Sequence, residues 1–339
     1  MKILEMDYSQ IKAFVAQTGQ PAYRADQIMG WIAKGKRPEE MGNLPKSLVS
    51  AMEERGFGGV RLELAQASRD GSEKYLFRCE DGNAVEGVLM EYRHGGSLCL
   101  STQAGCRMGC AFCASGENGL VRNLTVDELV GQVHGVIGEK GPDALNHMVL
   151  MGCGEPFDNY DNVVRFLRLV TQEKGFHFSC RNISLSTCGL VDRIYAFIQE
   201  RLPVVLCISL HAPNDEVRHR IMPISHRYSI DAVVEAARAY DAATGRRVIF
   251  EYALVEGIND SPVQARELAR LTRGMRKHIN LIPLNGNVGG LRASSRERCQ
   301  RFLEVLRECG ASATIRRTLA EDIEGACGQL RRRVLQEEG

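Results

Sequence analysis

The segment GCRMGCAFCASG holds three cysteines, Cys106, Cys110 and Cys113, in the spacing CxxxCxxC. It follows SLCLST, an apolar run that predicts a β-strand. Thiolates this close together on one strand-to-helix loop can converge on a single metal centre. Three cysteines leave one iron of a 4Fe–4S cluster without a protein ligand, so a small molecule can complete its coordination. A zinc site lacking its fourth ligand is the alternative, although zinc usually takes paired CxxC units and no second pair lies nearby.

The composition places few limits on function but excludes several classes of protein. The chain has 339 residues, of which 44% are hydrophobic and 25% charged, and this is not a disordered, collagenous or coiled-coil composition. No apolar run approaches the roughly 18 residues of a membrane span, and MKILEMDYSQ lacks the apolar region of a signal peptide. We therefore expect a cytoplasmic protein without membrane contact. Its 43 basic and 42 acidic residues nearly balance, so any binding of nucleic acid must use local patches.

Twelve cysteines are unusual for a chain without an export signal. Cytosolic thiols stay reduced, so we do not expect a structural disulfide framework. Outside the motif, most cysteines are expected to pack as small buried hydrophobes. That expectation covers Cys79, Cys153, Cys180, Cys188, Cys207, Cys299 and Cys309.

The elements that must position the cysteine loop follow a regular order. The first fifty residues predict helices, and residues 59–104 predict short antiparallel strands. From residue 99, strand and helix alternate through the strands SLCLST, NHMVLMG, RNISLST, VVLCISL, VIFEYALV and INLIPL, and a last helix precedes ATIRRT. Six such units predict a parallel sheet with outer helices, wrapped into an open barrel. A closed barrel of eight units would need more chain.

Polar and small residues follow the strands of this predicted barrel, where the active sites of barrels gather. Each alone is weak, because a single Ser or Asn after a strand is usually a turn residue. Together on one rim they predict a binding site, and they are Gly154 and Glu155 after the second strand, Ser186 at the third, Ser209, Leu210 and His211 at the fourth, and Asn285 at the sixth.

The cysteine pattern resembles the radical S-adenosylmethionine (SAM) superfamily. In that superfamily the amino and carboxylate groups of SAM chelate the open iron, and reduction of the cluster cleaves the sulfonium to a 5′-deoxyadenosyl radical. CLSTQAGCRMGCAFCASGENGLVRNLT, MGCGEPFDN, SLHAPNDEVRHRIMPI and DIEGACGQL together resemble the RlmN/Cfr family. These enzymes methylate an adenine of 23S ribosomal RNA at the peptidyl transferase centre, on carbon 2 or carbon 8. RlmN members commonly also methylate an adenine in the anticodon loop of some transfer RNAs.

The resemblance implies roles for particular residues. Cys327, in GACGQL, would carry the methyl group, and Cys99 would resolve the protein–RNA adduct by forming a disulfide with Cys327. Glu86, in AVEGVLM, would be the base that removes the ring proton. Gly154, Glu155, Ser186, Ser209, Leu210, His211 and Asn285 would contact SAM. Without the resemblance, Cys99 and Cys327 would be taken as core cysteines and Glu86 as a solvent-facing carboxylate.

The resemblance also implies an architecture and partners. We expect an α/β fold, a partial (βα)6 TIM-like radical SAM barrel at residues 92–322. A helical RNA-binding accessory domain would precede it at 1–50, with a β extension at 51–91 and a C-terminal segment at 323–339 that carries Cys327. The cofactors would be a 4Fe–4S cluster and SAM, two molecules of SAM being used per methyl transferred. The partners would be 23S rRNA before ribosome assembly is complete, transfer RNA, and a low-potential electron donor such as flavodoxin or ferredoxin, with the protein itself a monomer.

Several residues depart from the family pattern. Cys153 stands where MGMGEP has methionine, Cys188 stands where STSG has serine, and the loop after Asn285 is short. Pro156 follows the RlmN form GEP, where Cfr has GEA, and this favours carbon 2 over the Cfr outcome at carbon 8. A non-catalytic Fe–S/SAM protein that only binds RNA is the rival from another class, but such a protein would not need Cys99, Cys327 or Glu86. A radical SAM enzyme acting on a small molecule is a further rival.

Overall fold

The protein is built around one sheet of ten strands, and a separate two-stranded ribbon carries the cysteine loop. The computed structural model describes residues 1–93, 95–284, 290–317 and 319–323. The strands are β1 (Val60–Ala67), β2 (Glu73–Cys79), β3 (Ala84–Tyr92), β4 (Gly95–Cys99), β5 (Gln103–Gly105), β6 (Leu120–Asn123), β7 (His147–Leu150), β8 (Ile183–Thr187), β9 (Val205–Ser209), β10 (Val248–Leu254), β11 (Lys277–Pro283) and β12 (Ala313–Ile315).

Helices form the outer layer of the barrel and the N-terminal unit. They are α1 (Tyr8–Gln17), α2 (Arg24–Ile32), α3 (Lys46–Arg55), α4 (Val126–Lys140), α5 (Tyr160–Thr171), α6 (Val191–Gln199), α7 (Asp215–Ile221), α8 (Ile230–Thr244), α9 (Pro262–Leu271) and α10 (Arg296–Glu308). The short helix α7 was not predicted from the sequence, because its seven residues are too few to show a helical period. Within the described ranges, no helix is both long and apolar enough to span a membrane.

The predicted alternation of strand and helix is confirmed. In the large sheet, β4, β7, β8, β9, β10, β11 and β12 are neighbours and run parallel. β1, β2 and β3 extend the sheet beyond β4 as antiparallel strands. The fold is therefore the expected α/β barrel with a short β extension, and β12 adds a seventh parallel strand after the sixth unit.

The side chains of the parallel strands divide cleanly between two faces. In β10, Val248, Phe250 and Tyr252 are 0% exposed and belong to the core beneath the helices. Glu251 and Ala253 alternate with them and line a cavity on the other face. Because successive side chains of a strand point to opposite faces, every second residue of the barrel strands faces the interior.

The residue after the last parallel strand approaches the antiparallel extension across the barrel interior. Arg316 follows β12, and its Nη2 lies 4.0 Å from Sδ of Met90 on β3. Both side chains line the same cavity. The sheet therefore curls far enough to enclose a central space, without closing into a complete ring of strands.

The N-terminal helices pack directly on the barrel helix α4. A Cβ placed on Gly35 would lie 2.2 Å from the backbone nitrogen of Gly138, so only glycine allows this approach. Lys2 Nζ lies 3.1 Å from a carboxylate oxygen of Asp127 at the start of α4. The buried apolar residues of both units form one continuous cluster. Helix α3 crosses residue 50, and the division of the chain at residues 50, 91 and 322 stays a prediction.

The contact between these units includes one buried histidine. His134 on α4 is 7% exposed, and its Nε2 lies 3.2 Å from the carbonyl oxygen of Lys36. Burial lowers the pKa of His134 to about 4. In the unfolded chain the same group takes up a proton near pH 6.5. Between these values the unfolded state binds more protons, so the folded state loses stability as the pH falls.

This shift predicts a pH-dependent stability. We expect the free energy of unfolding to fall by up to about 1.4 kcal/mol per pH unit for this group between pH 6.5 and pH 4. Urea titrations at several pH values should show a shallower dependence in His134→Gln than in the wild type. His177→Gln, at an exposed histidine, is the control and should keep the wild-type dependence. Equal slopes in His134→Gln and the wild type would contradict the assignment.

Candidate active site

A cavity of about 360 Å³ lies inside the barrel at the carboxyl ends of its strands. This volume is within the range of roughly 300 to 1,000 Å³ that is typical of sites for small molecules and cofactors. Most of the residues predicted for the site line it, namely Cys106, Cys110, Cys113, Gly154, Glu155, Ser186, Ser209 and His211. The structure therefore brings together side chains that are up to 105 positions apart in the sequence.

The cysteine loop is held at its two ends by backbone hydrogen bonds. β5 and β6 pair antiparallel on either side of the loop, and the Cys106 amide donates to the carbonyl of Gly119 at 3.0 Å. Farther along, the Ala111 amide donates to the carbonyl of Ile221 at the end of α7 at 2.9 Å. The ribbon was not predicted from the sequence, because a three-residue strand carries too little periodicity to detect. It fixes the loop over the cavity.

The thiols of the loop have the chemistry that an iron–sulfur cluster requires. Burial raises the pKa of Cys106 and of Cys110 to about 12, so both are protonated at neutral pH in the absence of a metal. A bound metal stabilises the thiolate and releases the proton. With Cys113, these thiols form a soft donor set on one side of a cavity large enough for a further small molecule. The residues present therefore fit a cluster with three protein ligands.

Glu155 is fully enclosed between two turns. Its Oε1 accepts from the Phe157 amide at 3.0 Å, and its Oε2 accepts from the Cys188 amide at 2.7 Å. Burial raises the pKa of Glu155, and these two amides oppose the shift. The side chains of Thr187 and Cys188 also interact with this carboxylate, which lines the cavity and would attract an ammonium group there.

Gly154 allows two backbone segments to approach each other closely, and its predicted contact with SAM stays a prediction. It has a φ of 109°, and a Cβ there would lie 2.6 Å from Cβ of Gln103. The close approach that glycine permits is therefore to the β5 strand of the cysteine ribbon. Gln103 Oε1 also accepts from the Glu155 amide at 2.8 Å. The glycine thus joins the turn after β7 to the ribbon.

His211 presents a neutral ring to the cavity. Its Nδ1 accepts from the Ala253 amide at 2.9 Å, so the proton of the neutral ring lies on Nε2. Burial lowers the pKa of His211 to about 3. The ring meets Phe112 of the cysteine loop edge to face, with centroids 4.5 Å apart. Nearby, the hydroxyl oxygens of Ser186 and Ser209 lie 3.3 Å apart.

Leu210, a predicted cofactor contact, is not among the residues that line the cavity. The side chain of Leu210 is 0% exposed and belongs to the apolar core. Its backbone amide donates to the Glu251 carbonyl, and its own carbonyl accepts from Arg218. A contact between Leu210 and SAM stays a prediction. Asn285 lies outside the described residues.

Glu86 and Cys99 lie on neighbouring strands and are both buried. Glu86 on β3 is 6% exposed, and Cys99 on β4 is 8% exposed. Cys99 pairs with Val88, so the two-residue alternation of β3 places Glu86 on the same face as Cys99. Met90, on that same face, lines the cavity. The reading of Glu86 as a solvent-facing carboxylate is therefore wrong. Cys327 lies outside the described residues, and its pairing with Cys99 stays a prediction.

The cavity also contains residues that the sequence did not single out. Glu251 is 4% exposed, and its Oε2 accepts from the Asn280 side chain at 3.0 Å. Arg316 lines the cavity as well. One feature of the sequence could have identified Glu251. It is the single charged residue in the apolar strand VIFEYALV, and its position in the alternation marks the face of the strand that points into the barrel.

The other cysteines fall into different environments. Cys188, expected to pack in the core, is buried but also lines the cavity. Cys309, at the end of α10, is exposed, so the packing expectation is wrong there.

The loop thiols give a direct test of metal binding. After anaerobic reconstitution we expect about four irons and four sulfides per chain. The variant with Cys106, Cys110 and Cys113 all changed to Ala should lose both the iron and the brown chromophore. The exposed Cys309→Ala is the matched control and should keep the wild-type iron content. Stoichiometric zinc without iron in the wild type would contradict the cluster and support the alternative site.

Comparison with known proteins agrees with this geometry. Residues 100–269 match the model of the radical SAM superfamily, and residues 1–56 match that of the ribosomal RNA large subunit methyltransferase N-terminal domain. A crystal structure of a radical SAM methyltransferase from Sphaerobacter thermophilus superposes with a TM-score of 0.92 at 40% identity, covering 97% of this chain and 98% of that one.

Curated relatives match along almost the whole chain. A protein of Clostridium beijerinckii named "probable dual-specificity RNA methyltransferase RlmN" is 44% identical over 334 residues, covering 97% of this chain and 94% of that protein. A protein of Clostridium perfringens with the same name is 43% identical over 343 residues, covering 99% of this chain and 98% of that protein. The cysteine loop, the barrel and the N-terminal helices are thus shared as one arrangement, and the chain belongs to the RlmN family of the radical SAM superfamily.

Proposed function

We propose that this protein methylates carbon 2 of an adenine in 23S ribosomal RNA, at the peptidyl transferase centre, and also an adenine in the anticodon loop of transfer RNA. The observation that carries the proposal is the similarity to the RlmN relatives over 97% of the chain. The enzyme works in the cytoplasm as a monomer, on 23S rRNA before ribosome assembly is complete. A low-potential protein such as flavodoxin or ferredoxin supplies the electron.

The chemistry of the substrate explains the need for the cofactors. The carbon between two ring nitrogens of adenine is electron-poor and is not a nucleophile, so it cannot displace the methyl group of SAM directly. When bound, the cluster and SAM supply reductive cleavage of a carbon–sulfur bond, which opens a radical route. Cys106, Cys110 and Cys113 hold the cluster, and Glu155, Ser186, Ser209 and His211 hold SAM.

The chain's own residues carry the methyl group and release the product. Cys327 accepts a methyl group from one SAM on its thiolate; this methyl group gives up a hydrogen atom to the 5′-deoxyadenosyl group of a second SAM, and its carbon then bonds to the adenine ring. Glu86 removes the proton from the ring carbon. The thiol of Cys99 loses its proton and attacks the sulfur of Cys327, which breaks the bond between that sulfur and the methylene carbon and forms a disulfide. The freed carbon takes up a proton to become the methyl group of the RNA, and the unpaired electron of the adduct returns to the bound cofactors. The burial of Glu86 and Cys99 supports these roles, because groups that react in the barrel must be shielded from water.

The choice of carbon 2 rests on a narrower observation. Pro156 lines the cavity directly after Glu155, in the GEP form typical of RlmN. Methylation of carbon 8, the Cfr outcome, is the alternative. Mass spectrometry of ribosomal and transfer RNA from cells with and without this gene distinguishes 2-methyladenosine from 8-methyladenosine. Loss of 8-methyladenosine on deletion would replace our proposal with the alternative, and loss of neither would contradict both.

The resolving role of Cys99 predicts a trapped complex. In Cys99→Ala, Cys327 can still receive the methyl group and bond to the ring, but no thiol remains to release it. We expect this variant to purify with RNA that stays attached after denaturation. Cys327→Ala should carry no RNA and no methyl group. Cys299→Ala, at a buried cysteine on α10, should turn over normally. Free release of RNA from Cys99→Ala on denaturation would contradict the two-cysteine mechanism.

The proposed base gives a second prediction. A positioned general base typically contributes a factor of roughly 100 to 10,000 in rate. Glu86→Gln should lower turnover by that order, while methylation of Cys327, seen as a mass increase of one methylene, should be intact. Glu91→Gln changes an exposed carboxylate on the same strand and should keep the wild-type rate. Unchanged turnover in Glu86→Gln would mean that the ring proton leaves by another route.

A further inference from the structure

Arg218 is a buried cation that makes no ion pair among the described residues, although the charge of Asp215 at the start of the same helix acts on it. It lies on α7, and its side chain is 0% exposed. Its Nη2 donates to the carbonyl of Cys188 at 2.7 Å, and its Nε donates to the carbonyl of Leu210 at 3.2 Å. Its Nη1 is also buried and has no hydrogen-bond partner within that part of the chain. Such an arrangement is costly, since burying a charge without a counter-charge is strongly unfavourable.

The position of this cation relates it to the cysteine loop. The end of α7 accepts the hydrogen bond from Ala111, between Cys110 and Cys113. Met222, directly after α7, lines the cavity together with the three loop thiols. Cys188, whose backbone carbonyl accepts from Arg218, lines the same cavity. The guanidinium thus lies close behind the loop that would hold the cluster.

The arrangement exceeds what a purely structural role requires. The carbonyls of Cys188 and Leu210 need hydrogen-bond donors, and a neutral amide side chain such as glutamine would supply them without a buried charge. The arginine keeps its proton even in apolar surroundings, because the intrinsic pKa of its guanidinium is above about 12. A permanent charge with a spare N–H group is therefore retained where three thiolates would gather around iron.

We propose that Arg218 is a positioning residue that supplies a fixed positive charge to the iron–sulfur cluster and stabilises the cluster's reduced state. This inference depends on one part of the proposed function, the assignment of the cluster to the three loop thiols. Reduction adds one negative charge to a group already held by anionic thiolates. A nearby cation in a medium of low dielectric constant favours the more negative state, which raises the reduction potential.

The test measures the midpoint potential of the cluster in the reconstituted protein, by redox titration followed by electron paramagnetic resonance. We expect the potential to shift to more negative values in Arg218→Gln, which keeps donors for the carbonyls but removes the charge. Arg218→Lys keeps the charge, so its potential should lie closer to that of the wild type than to that of Arg218→Gln.

Arg246→Gln is the matched control. Arg246 also donates to a backbone carbonyl, that of Pro203 at 3.0 Å, but it precedes β10 at the opposite end of the strands. Its removal changes the total charge equally, and the potential should stay at the wild-type value. A general effect of lost positive charge would shift the potential of Arg246→Gln as much as that of Arg218→Gln and would overturn the proposal.

The remaining outcomes also decide the proposal. Wild-type potentials in both Arg218 variants would reduce Arg218 to a structural residue. If Arg218→Gln does not fold or hold iron, Arg218→Met, which also removes the charge, decides, and an unchanged potential in Arg218→Met overturns the idea. Iron-free wild-type protein would contradict the cluster itself. An iron-loaded wild type without RNA methylation would contradict only the proposed function, because the titration needs no RNA.

Discussion

The two-residue alternation of the parallel strands is the constraint on which the rest of the molecule depends. Each barrel strand must place apolar side chains outward against the helices, so only every second residue is left for chemistry. In β10 this division separates Phe250 and Tyr252, which pack in the core, from Glu251, which faces the cavity. The same rule places Glu86 and Cys99 on one face of adjacent strands. The residues that stabilise the fold and the residues that line the cavity therefore lie on opposite faces of the same sheet.

The interior face carries charged and polar groups that would be unstable without fixed partners. Glu155 is held by two backbone amides, and His211 is held neutral by one. The donors to Glu155 lie in the turns that follow β7 and β8, and the donor to His211 is Ala253 near the end of β10, beyond the residues that pair with β9. The carboxyl ends of the strands and the turns after them thus fix the orientation of the side chains that line the cavity. The cysteine loop is fixed in a similar way, because backbone hydrogen bonds between β5 and β6 join its two ends.

Much of this arrangement could be predicted from the sequence because it rests on periodicity and spacing. The six strand–helix units, the antiparallel extension and the rim residues from Gly154 to His211 follow from patterns that extend over many residues. The ribbon β5–β6, the short helix α7 and the role of Arg218 could not be predicted in this way. Each depends on contacts between segments far apart in the chain, such as the approach of Ala111 to Ile221. Burial of Glu86 was likewise invisible, because an isolated carboxylate in an alternating strand looks the same on either face.

The electrostatic state of the site without metal follows from these contacts. The thiols of Cys106 and Cys110 are neutral because burial raises their pKa, whereas Arg218 stays charged behind them. Binding of iron exchanges thiol protons for metal and turns the neutral donors into anionic ligands. These anionic ligands would also place negative charge near the guanidinium of Arg218, which makes no ion pair with a described residue. Binding of a metal centre would therefore offset two costs of burial, that of the desolvated thiols and that of the buried cation.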